Sequence, residues 1–151
     1  MKLKKAYSMA GLGWNSQYDE LAKISKAYND APIAFSRTGH ETIQEELEKR
    51  GLSCITFNEQ GQNKTNFVNR LEGICEGEGM MQVLDDGSEV NTTVINQHCD
   101  YSRISHGKNF TFGNVNEPHD DFVSCSYIAA QAISTPDEAR PAMGLLMGMR
   151  V

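Results

Sequence analysis

The sequence has no long apolar run. Nowhere among its 151 residues do roughly 18 apolar side chains, the number that a membrane-spanning helix needs, follow one another. The basic start of the chain, Lys2, Lys4 and Lys5, is not followed by the apolar segment of a signal peptide. We therefore expect a soluble protein that has no membrane partner.

The sequence also lacks a basic stripe. Lys and Arg number 14 against 20 Asp and Glu, which gives a formal net charge of −6. Proteins that are held to nucleic acid by phosphate contacts normally gather Lys and Arg on one face. The composition therefore predicts no nucleic-acid partner. It leaves open an acidic protein that binds or inhibits another macromolecule.

Closely spaced cysteine pairs are missing as well. Cys54, Cys75, Cys99 and Cys125 are far apart and form no Cys-x-x-Cys pair. A chain of this length can bury about two-thirds of its unfolded surface, so it needs neither disulfide nor metal to fold. We expect mostly buried thiols and a cytoplasmic location.

The common catalytic signatures are absent. The sequence contains no Gly-x-Ser-x-Gly elbow, no His-Glu-x-x-His helix motif and no Gly-Lys-Ser/Thr phosphate loop. Asp120 and Asp121 are adjacent, and neighbours in a strand point to opposite faces, which makes them a poor acid/base pair. Whether the protein is an enzyme, its reaction and its cofactor therefore stay open.

What the first half does contain is an alternation of apolar runs and amphipathic segments. Apolar runs predict three strands: Leu3 to Met9, Pro32 to Ser36 and Leu52 to Phe57. Short connections through helical segments favour parallel crossovers between them. This half therefore reads as βαβαβα with parallel strands.

Helix signals separate and follow these strands. Ser16 has the position of an N-cap for the first helix, and Thr38 has it for the second. Gly51 has the position of a C-terminal glycine. A stripe from Phe67 to Cys75 marks a third helix that ends near Gly77.

The second half shows a different pattern. Residues 80–95 predict a hairpin that turns at Asp86 and Gly87, and residues 96–121 are irregular apart from the strand-like Asn109 to Gly113. The run from Phe122 to Ile133 fits a buried strand as well as a helix. We predict a single α/β (or α+β) domain over 1–135, with a β-rich second half that completes a mixed sheet.

Residues 136–151 form a tail that is rich in methionine and leucine. Such a tail packs on its own domain or provides a surface for a homo-oligomer.

Ligands of open parallel sheets sit at the carboxyl ends of the strands. The loops after the first three predicted strands are short and polar and carry glycines. The first two lead straight into helix N-termini, which favour anions. We therefore predict a site for a nucleotide-like or phosphorylated small molecule. Its residues would be Gly11, Gly13, Trp14, Asn15, Ser16, Arg37, Thr38 and His40.

A second constellation indicates a metal-dependent hydrolase. The loop over residues 98–121 holds three of the four histidines together with carboxylates, and imidazole with carboxylate is a common ligand set for zinc. The predicted metal ligands are His98, His106, His119 and Asp120.

Overall fold

A computed structural model describes residues 1–3, 5–37, 41–77, 81–83, 86–133 and 146–148. Within these ranges the chain alternates helix and strand, as the sequence predicts for an α/β domain. The helices are α1 (Trp14–Ala27), α2 (Glu41–Lys49), α3 (Gln62–Glu76), α4 (Glu89–Asp100) and α5 (Asp121–Ala132). The strands are β1 (Lys2–Leu3), β2 (Ala6–Ser8), β3 (Ile33–Ser36), β4 (Cys54–Phe57), β5 (Gln82–Val83), β6 (Tyr101–His106), β7 (Asn109–Asn114) and β8 (Leu146–Gly148).

Helix α1 begins at the glycines that follow the first apolar run. Gly11 has a φ of +83°, a turn conformation that only glycine adopts without strain. Gly13 is the N-cap, and its carbonyl accepts a hydrogen bond from the backbone nitrogen of Gln17 at 3.0 Å. The predicted cap at Ser16 is wrong, because this residue lies inside the first turn.

Left-handed residues follow the ends of both α1 and α2. Asn29 and Asp30 have φ values of 60° and 56°, and Gly51 has a φ of 75°. The nitrogen of Gly51 donates to the carbonyl of Glu48 at 2.9 Å, which satisfies one of the last carbonyls of α2. The predicted closure of this helix at Gly51 is confirmed.

The crossover from β3 through α2 to β4 is parallel, as predicted. The register pairs Ile33 with Cys54 and Ser36 with Phe57. The backbone nitrogen of Arg37 extends this ladder by donating to the carbonyl of Phe57 at 2.8 Å. The carboxyl ends of these two strands therefore lie at one edge, next to Arg37.

Helices cover both faces of the β3–β4 pair. On one face, α1 and α2 bury Leu21 and Leu47 against Ile33 and Phe35. On the other face, α3 and α5 form a second apolar cluster. Its buried members are Val68, Leu71, Val123, Tyr127 and Ile128. The structure is thus a layered arrangement of helix, sheet and helix.

The predicted hairpin over residues 80–95 is wrong, because Glu89–Asp100 is helix α4. The turn residues serve as a cap: Asp86 accepts from the nitrogen of Ser88 at 2.9 Å, and Ser88 Oγ accepts from the nitrogen of Asn91 at 3.3 Å. Hydroxyl groups of the β-branched Thr92 and Thr93 bond back to carbonyls four residues earlier. Capping and burial override the strand propensity of this segment.

Residues 101–114 are more regular than predicted. Tyr101–His106 and Asn109–Asn114 form an antiparallel two-stranded ribbon around a two-residue turn, in which Gly107 has a φ of +65°. After it, the run that was ambiguous in sequence is helix α5. It is apolar on most sides because it packs against α3, α4 and β3.

The predicted first strand is divided between two strands with different partners. Lys2–Leu3 pairs in parallel with Gln82–Val83, and Ala6–Ser8 pairs in parallel with Leu146–Gly148. Part of the C-terminal tail therefore lies against the domain. An oligomer interface in the tail stays a prediction, and residues 136–145 and 149–151 lie outside the described residues.

The four cysteines are free thiols, of which Cys99 is exposed and the others are half-buried. Burial raises the pKa of the Cys54 thiol to about 11 and so keeps it protonated. In the described part of the chain, no helix is both long enough and apolar enough to cross a membrane.

We predict that Leu21→Ala lowers the free energy of unfolding by about 2–5 kcal/mol, because it leaves a cavity between α1 and the sheet. Leu21 is fully buried, whereas Leu12 is 43% exposed. The matched change Leu12→Ala should cost less than about 0.5 kcal/mol. Urea unfolding of both variants measures the difference, and equal losses would contradict the packing described here.

Candidate functional site

A cavity of about 340 Å³ opens at the carboxyl end of β2. It is bounded by residues at and just after the end of that strand, by residues along α4 and by the first two residues of α5. The lining residues are Ser8, Ala10, Glu89, Val90, Thr93, Gln97, Asp121 and Phe122. Two carboxylates, Glu89 and Asp121, therefore face one cavity, each from the first residue of its helix.

Helix N-termini carry a partial positive charge, and the two acidic side chains complement it. Thr93 Oγ1 donates to the carbonyl of Glu89 at 2.9 Å, which fixes the side chain of Thr93 at the cavity wall. Glu89 and Gln97 are separated by eight positions, or about 12 Å along α4. The cavity is therefore elongated along this helix.

Gln97 sets the position of α5 relative to α4. Asp120 is the N-cap of α5, but its side chain caps no nitrogen of the helix. Instead, Gln97 Oε1 accepts a hydrogen bond from the backbone nitrogen of Phe122 at 2.9 Å. Gln97 is only 4% exposed, so this bond is made in the interior, where an unpaired nitrogen would cost about 1–3 kcal/mol.

His98 makes a second link between the same helices. Its Nδ1 lies 2.7 Å from the carbonyl of Val94, and its Nε2 lies 2.7 Å from Ser126 Oγ. Burial lowers the pKa of His98, although its bond to Val94 opposes this shift. Ser126 Oγ also donates to the carbonyl of Phe122 at 2.8 Å, so this serine contacts both α4 and its own helix.

Asp100 fixes the segment that leads from the ribbon into α5. Its carboxylate accepts hydrogen bonds from Asn116 N at 2.7 Å, from Asn116 Nδ2 at 2.6 Å and from Glu117 N at 2.8 Å. These bonds, first the one from Glu117, lower the pKa of Asp100. The start of α5 is thereby tied to the end of α4.

A second group of acidic side chains surrounds two tyrosine hydroxyls. Tyr127 Oη donates to Glu59 Oε2 at 2.7 Å, and Tyr101 Oη has no partner within the described part of the chain. Burial raises the pKa of both phenols, and the charges of Asp120 and Glu59 raise that of Tyr101 further. Asp120 thus lies near Tyr101, whereas Asp121 lines the cavity.

The fold is similar to that of a phage nuclease. The solved structure of the large terminase nuclease from thermophilic phage G20c, with bound cobalt, aligns with a TM-score of 0.70 at 21% identity. The alignment covers 82% of this chain and 64% of that chain, so this chain spans a little under two-thirds of its length. No family model and no curated protein matches the sequence. At this identity the likeness shows a shared fold.

The predicted ligand residues after β2 lie on an open surface beside the cavity. Residues 11–16 are all exposed, and Ala10, directly before them, lines the cavity. Asn15 Oδ1 accepts from Arg50 Nη2 at 3.3 Å, and the ring of Trp14 stacks on that of Tyr18 at 6.0 Å. Two of the predicted ligand residues, Trp14 and Asn15, therefore already make contacts with other side chains of the protein.

The rest of the predicted ligand set follows β3. Arg37 is exposed at the end of that strand, while Thr38 and His40 lie outside the described residues. The role of these loops in ligand binding stays a prediction.

The predicted metal ligands do not converge. No group of three or more His, Cys, Asp or Glu side chains that could hold a metal occurs in the described ranges. His98 is engaged between α4 and α5, and His106 lies at the ribbon tip, where its Nε2 is 3.2 Å from Thr111 Oγ1. His119 is exposed, and Asp120 lies near Tyr101.

Sequence reasoning missed the two carboxylates of the cavity. The sequence pattern places Glu89 in a hairpin, and the adjacency of Asp120 and Asp121 argues against their use as an acid/base pair. A usable signal was present in both places: Ser88-Glu89 and Asp120-Asp121 each put a capping residue and an acid before an apolar segment, which is typical of a helix N-terminus.

We predict that acid weakens the α4–α5 contact. Because the pKa of His98 is lowered in the folded state, the unfolded chain binds a proton that the folded chain does not. Stability from this group is therefore full above about pH 6.5, the value of an unperturbed histidine, and falls as the pH drops below it. Urea unfolding between pH 7.5 and pH 5.5 measures this loss.

His98→Gln should flatten that pH dependence, and the matched change at the exposed His106, His106→Gln, should leave it as in the wild type. A His98→Gln protein with an unaltered slope would contradict the assignment.

Proposed function

We propose that this chain is a metal-dependent phosphodiester hydrolase that acts on nucleic acid at the cavity between α4 and α5. The observation that carries the proposal is the convergence of Glu89 and Asp121 on one cavity at the end of β2. The shared fold supports it, because the similar structure is named as a nuclease with bound cobalt. The proposal keeps the predicted class of metal-dependent hydrolase and moves its site.

The donor atoms of the cavity fit a hard divalent cation that is held in part by substrate. Glu89 and Asp121 supply carboxylate oxygens, and Ser8 and Thr93 supply hydroxyl oxygens. Magnesium in such sites is bound by one or two carboxylates, while water and substrate phosphate complete its shell. No third carboxylate or imidazole is needed, which agrees with the lack of a larger ligand group among the described residues.

A cation bound by these two residues would offset the charge of a phosphodiester and lower the pKa of a coordinated water. Other groups of the chain would interact with the phosphate. The N-termini of α4 and α5 direct partial positive charge at the cavity, and the exposed Ser8 can donate a hydrogen bond to a phosphate oxygen. The elongated shape along α4 suits a chain substrate that passes through the site.

This proposal departs from the expectation that nucleic acid is not a partner. That expectation rests on the lack of a basic stripe and on the whole-chain charge of −6. A site that recruits phosphate through a cation needs no basic stripe within the cavity, because the cation supplies the charge.

We predict that Mg²⁺ or Mn²⁺ stabilises the protein and that the double variant Glu89→Gln, Asp121→Asn loses this response. At a metal concentration about one hundred times the dissociation constant, binding adds about 2.7 kcal/mol, which raises the melting temperature by several degrees. Calorimetric titration of Mn²⁺ gives the affinity directly, independently of catalysis. Cleavage of a labelled oligonucleotide in Mn²⁺ should fall at least about a hundredfold in the same variant.

Asp120→Asn is the matched control, since it removes a neighbouring carboxylate that lies near Tyr101. It should retain metal affinity within about twofold of the wild type. Metal binding that survives in the double variant, or that Asp120→Asn abolishes instead, would move the site away from the cavity and refute the proposal.

A further inference from the structure

The ribbon, residues 101–114, projects from the junction of α4 and α5. Its root is half-buried, because Tyr101 and Phe112 pack against the cluster of α3 and α5. Residues 105–111, by contrast, are all exposed. Each strand has six residues, which is a reach of about 20 Å.

The register places Arg103 on the same face of the ribbon as its aromatic side chains. Residues 101, 103 and 105 pair with 114, 112 and 110, so Arg103, Phe110 and Phe112 point to the same side. The guanidinium carbon of Arg103 lies 3.7 Å from the ring centroid of Phe110, which in turn meets Phe112 edge-on at 5.5 Å. The aromatic stack thereby holds the guanidinium in place while Phe110 remains 37% exposed.

The ribbon differs in charge from the rest of the chain. Between Tyr101 and Asn114 the sequence has Arg103 and Lys108 and no Asp or Glu, although the whole chain has a net charge of −6. Asp100, at the root, is occupied by its bonds to Asn116 and Glu117. A protruding element of one charge sign therefore matches an anionic partner.

We propose that the ribbon binds the phosphate backbone of a nucleic acid, with Arg103 and Lys108 as the contacts and Phe110 as the residue that positions Arg103. A two-stranded ribbon has the width that a major groove admits, and a planar guanidinium matches phosphate geometry. At 3.4 Å per base step, the ribbon's reach corresponds to about six base pairs.

The place of the ribbon in the fold supports the same partner. Gln97 lines the cavity and lies four positions before Tyr101, about 6 Å along the chain in helical geometry. The bond from Asn114 Nδ2 to the carbonyl of His119 fixes the other end of the ribbon to the approach of α5. The choice of nucleic acid over an acidic protein rests on the proposed function of that cavity.

The test is fluorescence anisotropy with a labelled 20-base-pair duplex. It is measured in EDTA, so that DNA binding through a metal in the cavity does not contribute to the affinity. Across 50–200 mM NaCl, the wild type should bind with a salt-dependent affinity. The variant Arg103→Ala, Lys108→Ala should bind about tenfold or more weakly at 100 mM NaCl. Its log–log salt slope should fall by about 1.8, because each lost phosphate contact removes about 0.9.

Lys26→Ala, Arg70→Ala is the matched control, because it removes the same charge from exposed positions on α1 and α3. It should weaken binding by less than about twofold. Because Arg103 and Lys108 are themselves exposed, both variants should keep the wild-type melting temperature, which verifies that they fold.

Three results would overturn the proposal. The wild type does not bind the duplex at 50 mM NaCl, the two variants lose affinity equally, or poly-glutamate of equal charge displaces the protein as well as unlabelled DNA does. The last result would assign the ribbon to acidic protein instead.

These experiments distinguish a failure of the proposed metal site in the cavity from a failure of the proposed DNA contacts of the ribbon. The Glu89→Gln, Asp121→Asn protein should bind DNA in EDTA at least as tightly as the wild type does, because it loses two carboxylates that repel phosphate. The ribbon variant should keep the wild-type Mn²⁺ affinity.

Discussion

The hydrogen bond from the backbone of Phe122 to Gln97 Oε1 is the contact on which this half of the molecule depends. The N-cap residue of α5, Asp120, makes no capping bond, and Gln97 of α4 accepts from the helix nitrogen in its place. Because the bond is buried, the two helices cannot slide without leaving a polar group unpaired. A side-chain contact between His98 and Ser126 links the same two helices one turn further along α5. The cavity, the ribbon and the start of α5 are all positioned by this pair of helices.

Charge is divided between two parts of this assembly. The cavity pairs helix N-termini with Glu89 and Asp121, so the carboxylates offset the attraction that the helix ends would exert on a bare phosphate. Such a cavity favours a cation, and the charge of the bound cation would then attract an anion. The ribbon has the opposite charge, since Arg103 and Lys108 are cationic and no Asp or Glu lies between them. Under the two proposals made above, a polyanionic chain would be attracted by the ribbon and polarised at the cavity.

Local signals predicted much of the first half and little of the second. The crossover from β3 to β4 followed from short connections and from Gly51, both of which act within a few residues. Helix α4 was missed because Asp86 and Gly87 have the residue types of a hairpin turn, and their neighbours are β-branched. The structure uses Asp86 as a cap, and burial of Val94 against α5 stabilises the helix. Such a choice depends on a partner that lies far away in sequence.

Local signals can place Glu89 and Asp121 at helix N-termini, but they cannot place the two residues in one cavity. Glu89 and Asp121 share a cavity only because α4 and α5 are both helices and are held together by Gln97. Histidine content, which the sequence offered as a metal signal, reflects different roles in the structure: His98 is an interior hydrogen-bonding group, and His106 bonds within the ribbon. Residue types indicate which chemistry is available, but the distances between helices and strands determine which side chains can act on one ligand.

The pairing of Ala6–Ser8 with Leu146–Gly148 has a consequence for how the domain is completed. These partners are separated by nearly the whole sequence, so closing them carries the largest loop entropy of any strand pair described. During synthesis β2 cannot pair with this neighbour until residues 146–148 have left the ribosome. The rim of the cavity at Ser8 is thus completed after the rest of the described fold has been made, and a chain that lacks residues 146–148 would leave that edge unpaired.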